Sequence, residues 1–71
     1  MEKTLQNKLD NAIGEMERRK HYFRLMVENE IDSDCFEKNA IAELTAMLEC
    51  KTRITALEEA LMLARIYTGE E

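Results

Sequence analysis

The sequence predicts an all-α fold: an antiparallel two-helix hairpin, with helices over about residues 4–29 and 34–68, that dimerises into a four-helix bundle. Three observations predict it. Apolar side chains recur at steps of three and four through both halves of the chain. Proline is absent and the two glycines are Gly14 and Gly69, so nothing interrupts either half from within except Gly14. The single cluster rich in turn and cap formers, Glu28 to Asp34, falls near the middle. With 35% charged residues, and apolar content dominated by Leu, Ala, Ile and Met, the composition is that of a helical bundle. We read the 71 residues as one domain with a turn at about 30–33 and a disordered tail over 69–71.

The first helix begins near Glu2 or Thr4 after a frayed start. Leu5, Leu9, Ala12, Met16, Phe23 and Met26 keep a heptad-like spacing, widened on one side by Ile13, Val27 and Ile31. Gly14 lies inside the helix at a cost of about 1 kcal/mol relative to alanine, and is read as a tolerated weak point. Arg19 occupies the heptad slot between Met16 and Phe23, with Lys20 beside it. Both are expected to lay their methylenes on the core and keep their charged heads at its edge. If the chain folds back near residue 32, Arg19 comes level with Ala46 and within reach of Glu43 or Glu49, so a partly buried ion pair that fixes register is expected.

At the turn, Asp34 followed by Glu37 matches a capping box, with Ser33 or Asp32 as substitutes if the boundary slips. The few residues between the helices make them antiparallel neighbours.

The second helix carries two apolar seams. Phe36, Ala40, Met47, Cys50, Ile54, Leu57, Leu61 and Ala64 line the first, with Glu43 in one slot. Ile41, Leu44, Leu48, Met62 and Ile66 form the second, with Thr55 in the gap, about a third of a turn away. Ala42, Ala46, Ala56, Ala60 and Ala64 add small side chains where another backbone can come close. Gly69 stands in the position of a C-cap, and Arg65 lies in the last turn, where a cation complements the helix dipole. A hairpin covers one face of each helix, so the second seam needs a partner, and the simplest is a second copy. The predicted core and dimer residues are Leu9, Met16, Phe23, Leu44, Met47, Leu48, Ile54, Leu57 and Leu61.

Several kinds of chemistry find no foothold. His21 is the single histidine, which leaves little for a multi-histidine metal site or a Ser-His-Asp arrangement. It is read as an exposed residue four after Glu17. Cys35 and Cys50 form no C-x-x-C pair. On one helix they would stand roughly 22 Å apart, beyond any disulfide. Asp32-Ser33-Asp34 with Glu37 lacks the glycine and spacing of a calcium loop and is read as helix capping. No glycine-rich phosphate loop occurs. No catalytic residue, metal, cofactor or small-molecule substrate is expected. The absence of a leader-like segment and the shortness of the longest apolar run, Ala60 to Ala64, fit a cytoplasmic protein that does not enter a membrane.

Two stretches are candidate binding sites. Arg18, Arg19, Lys20, His21 and Arg24, with Tyr22 and Phe23 between them, form a basic segment in a chain of net charge −5. Its ordinary reading is a solvated face balanced by Glu15, Glu17 and Glu28, and its functional reading is a phosphate or acidic-surface site. Met62, Leu63, Ile66 and Tyr67 form the second candidate, either core and dimer interface or a contact for another protein. The expected function is non-enzymatic. The protein is read as an acidic helical one that self-associates and binds or regulates a protein partner, of the adaptor or inhibitor type that phages and mobile elements encode. An acidic dimer imitating nucleic acid is an alternative.

The turn residues Asn29-Glu30-Ile31-Asp32-Ser33-Asp34 and the short two-helix plan also resemble the Rop family of plasmid proteins, whose hairpins dimerise into four-helix bundles and bind paired RNA loops. The resemblance covers those six residues and the plan, not the heptads. It implies RNA as a partner, ranked below protein, with Arg18, Lys20, Tyr22 and Arg24 of the first helix presented by both subunits.

Overall fold

The computed structural model describes residues 2–68. Two helices, α1 (Glu2–Glu30) and α2 (Phe36–Thr68), run antiparallel through a short turn and form a rod 54 Å long and 14 Å across. The all-α hairpin is as the periodicity predicts. The expected C-cap at Gly69 and the tail over 69–71 lie outside the described residues.

Each helix presents one heptad stripe to the other. From α1 come Leu5, Leu9, Ala12, Met16, Arg19, Phe23 and Met26. The facing stripe of α2 is the first seam, from Phe36 to Ala64 with Glu43 included. The fully buried members are Leu9, Ala12, Met26, Ala40, Cys50 and Leu61, and the rest are half-buried. The tightest layer joins two small residues. Cys50 is only 1% exposed, and its thiol lies 3.9 Å from the Ala12 carbonyl, which accepts its weak S–H donor. Cys35 sits in the turn and is exposed, and both thiols are free.

Ionic contacts between the helices agree on the same register. The Arg19 guanidinium donates to Glu43 at 3.1 Å, the nearer of its two expected partners, and also to Glu15 at 3.2 Å. Glu15 in turn accepts from Arg53 at 3.4 Å, and Glu2 accepts from Arg65 at 3.0 Å. These contacts perturb the groups that make them. Hydrogen bonding to Glu43, then to Glu15, raises the Arg19 pKa. The hydrogen bond from Arg19 holds the Glu15 carboxyl below the ordinary glutamate range against partial desolvation, and the charge of Arg53 adds to the effect. A lowered carboxylate pKa contributes stability that is present at neutral pH and is lost as the pH falls through the lowered value.

The α1 helix begins at Glu2, one of its two expected starts, where Glu2 is tied to Arg65 across the hairpin and sits where the helix dipole favours a carboxylate. The helix boundaries differ from expectation in two other places. The α1 helix ends at Glu30, one residue later than expected. The α2 helix begins at Phe36 rather than Asp34, and the turn is 31–35 rather than 30–33. The physical reason lies in Ser33. Its N–H donates to the Glu30 carbonyl at 2.9 Å, its carbonyl accepts from Phe36 N–H at 3.1 Å, and its hydroxyl accepts from Cys35 N–H at 3.3 Å. The first helical bond of α2 then runs from Asn39 N–H to the Cys35 carbonyl at 3.0 Å, so the expected Asp34–Glu37 capping box does not form.

Two predictions follow from this packing. A β-carbon added at Gly14 meets only the Arg18 guanidinium, at 3.6 Å, an ordinary contact with the end of a flexible side chain. Gly14→Ala is therefore expected to raise stability by about 1 kcal/mol in urea unfolding, the helix-propensity difference undiminished by any clash.

The second concerns the charged layer. Arg19→Met strands the Glu43 side chain, which is 13% exposed, and is expected to cost roughly 1 to 3 kcal/mol. Pairing Arg19→Met with Glu43→Leu fills both slots with apolar groups and should recover that loss, as replacement of buried ion pairs commonly does. Unfolding at matched protein concentrations checks it, since self-association would shift both midpoints. A double variant no more stable than the single one would count against this account of the layer.

Candidate interaction surface

The hairpin has two broad faces. One carries an interhelix ion pair. Lys8, Asn11 and Glu15 of α1 lie there beside Arg53 and Leu57 of α2, around a shallow depression of about 370 Å³ bridged by the Glu15–Arg53 pair.

The other face is apolar. At its open end Gln6 and Leu9 of α1 meet Glu58, Leu61, Met62, Arg65 and Ile66 of α2, around a groove of about 590 Å³. Gln6 starts the heptad flank that continues through Ile13, Lys20 and Val27, so these residues border the same face. The α2 side of it is the second seam. Ile41 is 65% exposed, Leu48 64%, and Leu44, Met62 and Ile66 about half or a little more. The seam is polar in the middle, where Lys51, Thr52, Thr55 and Glu59 surround a depression of about 380 Å³ that Leu48 borders. Such a run of exposed aliphatic side chains along one helix is more than the scattered apolar residues of an ordinary surface.

Of the nine predicted core and dimer residues, Leu9 and Leu61 are buried. Met16, Phe23, Met47, Ile54 and Leu57 are half-buried between the helices, while Leu44 and Leu48 face outward on the second seam. The C-terminal candidates divide between two sides of α2. Met62 and Ile66 belong to the apolar face, whereas Leu63, about half exposed, and Tyr67, 86% exposed, lie further round the helix away from α1. Leu25 of α1, which lies off the heptad stripe, is also exposed.

The basic segment does not form one surface. Positions two apart on a helix point to nearly opposite sides, so Lys20 borders the apolar face and Tyr22 the face opposite. Arg19 is committed to Glu15 and Glu43, and Lys20 lies 3.7 Å from Glu17. Arg18, His21 and Arg24 remain along the outer side of α1, and none makes an ion pair among the described residues. Glu17 pairs with Lys20, and no Glu17–His21 contact forms.

Among the described residues no group of three His, Cys, Asp or Glu side chains is placed to hold a metal ion, and no helix is long and apolar enough to cross a membrane. The chain matches no protein-family model, no curated protein and no solved structure. The likeness to the Rop family therefore rests on the six turn residues and the hairpin plan.

Proposed function

We propose that this hairpin is a non-enzymatic protein that self-associates through its apolar face and binds a protein partner, acting as an adaptor or inhibitor. The observation that carries the reading is the exposed second seam of α2, which no other described residue covers. Exposed aliphatic stripes of this length are characteristic of interfaces, and a four-helix bundle is the simplest closed solution. Leu63 and Tyr67 support the second half of the reading. They lie off the stripe, so self-association leaves them accessible, and a large exposed aromatic is a typical anchor at protein interfaces.

Sedimentation equilibrium at micromolar concentration is expected to give a dimer, and Leu48→Asp should return a monomer of much lower stability. Leu63→Gln with Tyr67→Ser should stay dimeric yet lose a partner recovered from native lysate by the parent. A compact, cooperatively folded 8.3 kDa monomer would contradict the reading.

RNA binding is a second reading, favoured by one observation: along one side of α1, Arg18, His21 and Arg24 make no ion pair among the described residues. Changing Arg18, Lys20 and Arg24 together to glutamine preserves helix propensity and leaves both seams intact. If RNA is the ligand, affinity for a hairpin loop pair should fall steeply with salt, and the variant should stay folded with a shallower log–log slope. Under the protein-partner reading, the parent shows no such salt-sensitive binding. The net charge of −5 on each chain favours that outcome.

A further inference from the structure

The exposed stripe of α2 is nearly symmetric about its own midpoint. Lys51 and Glu59 stand four residues before and after Thr55, Leu48 and Met62 seven, and Leu44 and Ile66 eleven. Steps of four, seven and eleven return to the same side of a helix, and all these residues are exposed. Neither Lys51 nor Glu59 makes an ion pair among the described residues.

We propose that a second copy of this chain covers the stripe, α2 against α2 and antiparallel, about a two-fold axis at Thr55. The inference rests on the self-association argued above and adds its face, direction and register. In this arrangement Leu44 meets the partner's Ile66, Leu48 meets the partner's Met62, and Lys51 meets the partner's Glu59, each contact occurring twice. Thr55 meets the partner's Thr55 on the axis, where a small side chain lets the helices approach.

The alternatives fail on charge. A parallel two-fold pairing sets Lys51 on the partner's Lys51 and Glu59 on the partner's Glu59. An antiparallel slip of one heptad in one direction puts Leu44 against the partner's Glu59. The opposite slip puts Glu58 against the partner's Glu59 and Lys51 against the partner's Ile66. Apolar ends favour several registers, and the charged centre selects among them.

The rod leaves surface for a partner to cover. The chain exposes 5572 Å². A compact monomer of this mass exposes about 4,600 Å². The elongated hairpin therefore exposes roughly 1,000 Å² more than a compact one, and a standard interface takes ~800 Å² from each partner.

Cysteine cross-linking of the full chain tests the register. In a Cys35→Ser background, where the remaining thiol of Cys50 is buried, Thr55→Cys is expected to form a disulfide-linked dimer under mild oxidation. A disulfide requires Cα atoms within about 7 Å, which the axis position alone satisfies with a single substitution. Leu44→Cys alone should not cross-link, whereas Leu44→Cys with Ile66→Cys should.

Charge exchange supplies a second measure that does not depend on a thiol at the axis. Lys51→Glu and Glu59→Lys should each weaken the dimer about ten-fold or more, and the two together should restore it. A dimer that forms but cross-links through Leu44→Cys alone, or shows no rescue by the double exchange, overturns the register and leaves self-association standing. A chain that stays monomeric at all concentrations overturns both.

Discussion

The hairpin depends on a layer in which unlike charges meet inside an apolar seam. Arg19 and Glu43 occupy heptad slots that elsewhere hold apolar side chains. Either charge opposed to an aliphatic side chain would be desolvated without return, so the seam closes well in the alignment that brings them together. A displacement of one helical turn, about 5.4 Å, would break this pair and the Glu15–Arg53 and Glu2–Arg65 pairs together. It would also carry Cys50 away from Ala12, replacing a close small-against-small layer by a cavity or a clash. Exposed ion pairs contribute little stability singly, and their importance here is that several agree on one register.

With the register fixed, the distribution of apolar surface is fixed too. The seam fully buries six side chains, two of them alanines and one the cysteine. A single core in a chain below roughly 70 to 80 residues rarely supplies more than 3 to 5 kcal/mol. The second seam therefore matters energetically: whatever covers it would add burial that the hairpin alone lacks, and would couple folding to association.

The seams were legible because helical periodicity is a property of the sequence alone. Steps of three and four place Leu9, Met26, Leu61 and Cys50 on the inner side whatever their neighbours, and the stepping of Ile41, Leu44 and Leu48 places them off it. The Arg19–Glu43 contact was legible for the same reason once the fold-back point was assumed. The α2 cap was not. Ser33, Asp34 and Asp32 are all competent caps, and the choice depends on a turn whose own hydrogen bonds, from Ser33 to Glu30 and from Phe36 to Ser33, are set by backbone geometry. The bond between Glu2 and Arg65 escaped as well, since it joins chain positions 63 apart whose proximity requires the exact register. As for the basic segment, its compactness in sequence suggested one surface, but a helix spreads consecutive residues around its axis, and only those three or four apart share a side.

In the proposed dimer, the position of Leu63 and Tyr67 would connect assembly to partner binding. They lie near the C-terminal end of α2 and off the stripe, so an antiparallel pairing about Thr55 leaves one copy of this patch toward each end of the bundle. Eight to twelve residues at 1.5 Å each, taken on both sides of the axis, set the two patches roughly 30 Å apart. A partner that engages both must itself be two-fold symmetric or span that distance, and would gain avidity from the dimer. One that engages a single end gains only the added stability of the fold that presents the patch. The two cases differ in stoichiometry, two chains per symmetric partner against one partner at each end. The proposed bundle geometry would thus limit the partner even though the patch by itself does not name it.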